Sequence, residues 1–181
     1  MFHKPIISPN IRLRCPEAFE VGEGSIVDDF CYISARVKIG RFSHVASGCT
    51  IAGGKTHRFT LGDYCSLSAG VRIWCGSDDF TRDLVAIMPE GFPPIKENLI
   101  LGDVTFESLT AVGSNSVVMP GVFVPQGTVI GAMSFVPPHV RLEPWMVYAG
   151  VPARPVKPRD RSSVMRQREV LERYLAEETR R

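Results

Sequence analysis

Between positions 21 and 51 a large aliphatic side chain returns every six residues: Val21, Val27, Ile33, Ile39, Val45 and Ile51. A helix repeats near 3.6 residues and an in–out strand at 2, so neither explains this beat. It resumes in the second half at Ile100, Phe106, Val112, Val118, Val124, Ile130 and Val136. The fifth residue of each hexad is small or slim: Ser25, Cys31, Val37, Ser43 and Cys49, then Thr110, Ser116, Val122, Thr128 and Ser134. Gly, Asp or Ser often follows the beat. The unit is therefore a short strand with an inward side chain, followed by a turn. One unit cannot bury its apolar side chain alone, so the hexads must stack strand on strand into an all-β parallel β-helix.

At 181 residues the chain supports one domain and a tail. A net charge of +2 implies no general attraction to nucleic acid or to a membrane surface, so any partner must be sought in a site. No run approaches the roughly 20 apolar residues of a membrane span, and the first residues lack a secretory apolar segment, so a cytoplasmic protein is expected. The five cysteines include no CxxC pair and read as reduced thiols filling small spaces.

A solenoid is monotonous, so its interruptions are where a site can be made. Ile51 and Leu61 stand ten residues apart instead of six, so four extra residues within the segment AGGKTHRFT must leave the wall. A longer excursion, 74–99, is rich in Pro and Gly and reads as an extended loop reaching over a neighbouring surface. The third break is the Pro-bounded hook LEPWMVYAGVPARPVK.

The stretches AGVPARPVK (149–157) and VGSNSVVMPGVFVPQGTVIGAMSFV (112–136) resemble the ending and last coils of the sugar and xenobiotic acetyltransferases, a branch of the left-handed β-helix acyltransferases. The resemblance covers about residues 21–157. It implies a left-handed triangular prism of three hexads per coil, in which Cys31 and Cys49 stack in adjacent coils. It also implies acetyl-coenzyme A as cosubstrate, no metal, and a homotrimer with active sites between subunits. By the same resemblance Ser114, Gly131 and Ala132 border the pantetheine arm, while Arg154 and Lys157 serve the phosphates. Small residues, exposed amides and cations on a stiff segment suit those tasks. Where relatives often have Thr-Lys, this chain has Pro137-Pro138, so the adenine end is expected to be held differently.

Acyl transfer to a hydroxyl needs a general base, usually histidine. Of four histidines, His3 and His139 read as incidental. His57 lies in the first excursion and His44 precedes the inward Val45, which turns it outward. Relatives carry their catalytic histidine in a T-x-T-H-P stretch, whereas here the position reads CGSDD, with Asp78 in the histidine's place. A similar S-D-D form occurs among hexapeptide transferases linked to surface-polysaccharide sugars. Two mechanisms are open. In the preferred one, His57 or else His44 takes a proton from a sugar hydroxyl, with Asp78 or Asp79 orienting the histidine or the sugar. In the other, the acceptor is an amine and Asp78 orients it and accepts a proton late. Lys55 and Asp79 are the expected sugar contacts.

Residues 159–181 change to helical spacing, with Val164, Leu171 and Leu175 on one side and Asp160 or a serine as cap, so a short helix follows the 1–158 repeat domain. The expected function is acetyl transfer to a nucleotide-linked or glycan-bound sugar in surface-polysaccharide (lipopolysaccharide) biosynthesis. The alternatives are a non-catalytic β-helix scaffold and a metal enzyme like the γ-class carbonic anhydrases. The latter needs three metal-binding histidines.

Overall fold

The computed structural model describes residues 4–93 and 95–179, so His3 lies outside the described residues. The hexads form three walls of a solenoid. The first face stacks Ile6–Ile7, Ile26–Val27, His44–Val45, Ser66–Leu67, Ala111–Val112, Val129–Ile130 and Met146–Ala149, all parallel. The second runs from Arg12–Leu13 through Tyr32–Ile33, Thr50–Ala52, Arg72–Trp74 and Val117–Val118 to Phe135–Val136. The third stacks Phe19–Val21, Arg36–Ile39, Arg58–Leu61, Val104–Phe106 and Phe123–Val124. Ile33 pairs with Ile51, one coil of three hexads later.

The beat residues from Val27 to Ile51 and from Phe106 to Val136 are buried, as are the slim residues at the fifth position. The slim residues do more than fit. The Ser25 hydroxyl donates to the Gly40 carbonyl at 2.7 Å and accepts the Ser43 N–H at 2.9 Å. Ser43 repeats this with Gly62 and Cys65, and Ser116 with Gly131 and Ser134. Each hydroxyl thus satisfies backbone groups at a buried corner that would otherwise cost about 1–3 kcal/mol apiece. Cys31 and Cys49 lie in adjacent coils, and their thiols donate to the Ala46 and Ser68 carbonyls. All five cysteines are buried and unpaired with one another.

Ile100 departs from the sequence reading. It pairs antiparallel with Ser77, and Leu101 with Gly76, off the three faces. The two arms of the long loop need backbone partners where they leave and rejoin the wall, and they pair with each other. The wall resumes at Val104–Phe106, which supplies the inward residues of that coil.

The last strand, Arg154–Pro158, runs antiparallel to Met146–Ala149 and covers the edge of the first face. The helix Arg161–Thr179 follows, capped by Asp160, whose carboxylate accepts the Ser163 N–H at 3.1 Å. Glu172 ties it to the corner between the third and first faces, meeting Arg41 at 2.5 Å and the Tyr64 hydroxyl at 2.6 Å. Arg161 lies over the Trp145 ring, and Arg159 donates to the carbonyls of Leu109 and Gly127. The expected apolar stripe is only partly used, since Leu171 and Tyr174 remain exposed.

Candidate active site

The long loop opens a cleft of about 510 Å³ at the corner between the second and third faces. Gly53, Trp74, Phe80, Leu101 and Met119 line it, and Asp78 is the one carboxylate among its lining residues. Gly53 belongs to the first excursion and Met119 to the coil after the loop, so three successive coils build the wall. A side chain at Gly53 would place its Cβ 2.5 Å from that of Cys75, which is why the first excursion leaves the wall at a glycine. Burial pushes the Cys75 thiol up to about 12, so it stays protonated and inert.

Asp78 meets Lys96 Nζ at 2.7 Å, and both side chains are mostly covered, at 28% and 20% exposure. Asp83 holds the loop's outer arms together by accepting the backbone N–H and the side-chain amide of Asn98, both at 3.0 Å. Those bonds hold its carboxyl below the usual range. Asp79 is not among the cleft's lining residues; its carboxylate accepts the Thr81 hydroxyl at 2.6 Å and the Thr81 N–H at 2.9 Å.

His57 lies at the same corner, but its carboxylate partner is Asp103, with Nδ1 3.3 Å from Oδ1, and neither Asp78 nor Asp79 orients it. Asp103 also accepts the Arg58 N–H at 2.9 Å. Lys55 stands exposed beside them. His44 lies on the first face, paired with Asp28 at 2.8 Å and away from the cleft. His139 borders a second, smaller cleft with Phe123 and Arg141. Among the described residues no three His, Cys, Asp or Glu side chains converge as a metal site requires.

Ser114, Gly131 and Ala132 gather at a different corner, between the first and second faces, in two successive coils. A Cβ on Gly113 would sit 2.3 Å from the Ala132 nitrogen, so the backbone at this corner is tightly stacked, and Ala132 is exposed on it. Arg154 and Lys157 are exposed on the capping strand beside it. The second face separates this group from Asp78. Sequence reasoning missed Lys96 and Asp103: Lys96 lies in a loop without periodicity, and Asp103 follows the loop's return, so no spacing points to either partner.

No protein-family profile matches the chain. The chain is similar to AntD, an N-acyltransferase from Bacillus cereus, in its crystal structure with dTDP and 3-hydroxybutyryl-CoA. Identity is 30%, covering 94% of this chain and 88% of that one, with a TM-score of 0.82. A serine variant of AntD bound to dTDP-4-amino-4,6-dideoxyglucose and coenzyme A gives 0.83 at 29% identity, with the same coverage of both chains. Further solved variants replace an aspartate ten positions after that serine. The dTDP-4-amino-4,6-dideoxy-D-glucose acyltransferase of Escherichia coli is 29% identical over 146 residues, 78% of this chain and 72% of its own length.

Proposed function

The chain belongs to the hexapeptide-repeat, left-handed β-helix acyltransferases, and we propose that it moves an acyl group from coenzyme A to the amine of a nucleotide-linked sugar. The observation that carries this reading is the division of the site. A carboxylate in an apolar cleft stands at one corner, and the tightly stacked backbone with its exposed Ala132, suited to a pantetheine arm, stands at the next. A single prism cannot bring both to one thioester. A homotrimer does so by facing the Asp78 corner of each subunit with the Ser114–Ala132 corner of its neighbour. Exposed apolar side chains on the loop, with Ile87 at 97% exposure, suit burial against that neighbour.

The amine's lone pair attacks the thioester carbonyl, and the carbonyl electrons move onto oxygen, where backbone N–H groups of the facing corner hold them. As the C–N bond forms, the Asp78 carboxylate takes the nitrogen's proton. The oxyanion then collapses, the C–S bond breaks, and the departing thiolate receives that proton, leaving amide and free coenzyme A. Lys96 already places an ammonium against Asp78, in the position a sugar amine would occupy. Ser68 and Asp78 form this chain's one serine–aspartate pair at the ten-residue interval seen in the AntD variants. Ser68 lies at the coenzyme corner, so it would face Asp78 of the adjoining subunit. The cleft is far larger than an acetyl group needs, and a longer acyl chain fits its apolar wall. The product suits surface-polysaccharide assembly, from soluble substrates in the cytoplasm.

Mixing two inactive variants tests the arrangement. Asp78→Asn spoils one corner and Ala132→Trp blocks the other. Refolded or co-expressed together they should regain activity, because about a quarter of sites combine two intact halves by random assembly. No recovery in demonstrably mixed trimers would refute the intersubunit site.

A further inference from the structure

Arg36 and Arg58 stand directly opposite each other on neighbouring strands of the third face, both pointing outward. Like charges in that relation destabilise a sheet. Neither guanidinium has a carboxylate within ion-pair distance among the described residues, and Lys55 adds a third unpaired cation. The adjacent carboxylate, Asp103, is engaged by the Arg58 N–H and His57, and Glu20 lies across from Lys38 one column further along. A repulsive pair kept without a structural return is what an anion site looks like before its anion arrives.

Resting on the acyltransferase reading above, we infer that Arg36 and Arg58, with Lys55, hold the diphosphate of the nucleotide-linked acceptor. Height along the solenoid supplies the argument. The coenzyme residues all lie in coils after Asp78, at 112–157, and a three-fold axis parallel to the prism leaves each coil level with its counterparts. The donor therefore occupies the groove above Asp78, and the acceptor's remaining part must extend toward the coils before it. Gly53, on the cleft wall, begins the excursion that ends at Arg58, so the cations stand at the acceptor end of the cleft. Paired guanidinium forks match the geometry of phosphate oxygens.

Calorimetry on the full chain with dTDP, UDP and coenzyme A as separate probes tests this. Arg36→Gln with Arg58→Gln should weaken dTDP or UDP binding about 100-fold, near tenfold per arginine, while the Kd for coenzyme A changes less than about twofold. Its melting temperature should equal or exceed that of the wild type, because a repulsion has been removed. Unchanged diphosphate binding overturns the inference, as does equal loss of both ligands or a melting point several degrees lower. A wild type that binds coenzyme A and acylates a free amino sugar, yet binds neither diphosphate, overturns it and leaves acyl transfer standing. Diphosphate binding through these arginines without any coenzyme A binding supports it and removes the acyltransferase reading.

Discussion

Two corners of the same prism are finished in opposite ways. Between the third and first faces, the rings of Phe42 and Tyr64 stack at 5.8 Å, Arg41 lies over both, and the C-terminal helix closes over them through Glu172. The chain supplies its own cover there. Between the second and third faces the chain instead throws out a loop whose Phe80, Leu84, Ile87 and Phe92 stay exposed, above a cleft holding a carboxylate. The walls that flank the two corners follow one hexad rule, but both excursions leave at the second–third corner, so the two differ in backbone as well as in cover. A corner sealed by its own helix serves stability, and a corner left apolar, charged and open serves other molecules.

The largest expected effect separates the corners by activity. Asp78→Asn should lower turnover by about 10²-fold or more in a thiol-release assay with an amino-sugar acceptor, with coenzyme A affinity kept. His57→Asn, beside it, should cost less than about fivefold, since an amine needs no base to become a nucleophile. If the histidine variant loses activity and the aspartate variant does not, the acceptor is a hydroxyl and His57 with Asp103 is the base.

A smaller effect belongs to the sealed corner. Glu172→Gln removes a charge-assisted contact to Arg41 and weakens the bond from Tyr64, on a partly exposed surface, so the melting temperature should fall by roughly 2–4 °C with turnover unchanged. Loss of turnover without loss of stability would mean that this corner, too, takes part in function.

The smallest effect is a titration. Burial first, and then the hydrogen bond donated to Glu172, push the Tyr64 phenol up to about 12 from its ordinary 10.0. A raised folded-state value favours the neutral form, so this contribution is complete below pH 10 and is lost as pH rises toward 12. Absorbance of tyrosinate should show Tyr64 titrating late, and earlier in Glu172→Gln. A Tyr64 that ionises with the exposed tyrosines would mean that the helix does not cover this corner in solution.

The beat and its breaks were legible because each coil repeats the same local demand: an apolar residue inward, a slim one before it, a turn after. The periodicity from Val27 to Val136 carries that demand into the walls, the slim positions and the places where the chain departs. Ile100 kept the beat and still left the wall, because a strand belongs to whichever neighbour completes its hydrogen bonds, and Ser77 was nearer in space. The same limit hid Lys96 beside Asp78, Asp103 beside His57, and Arg36 against Arg58. Those partners are 18, 46 and 22 positions apart; the folding back of the long loop brings the first pair together, and the stacking of coils the other two. By itself, then, the sequence determined the repeat, the buried faces and the interruptions, since these depend on local chain chemistry. Tertiary structure alone decided which corner each functional side chain reaches, because a corner is defined by coils meeting across the stack.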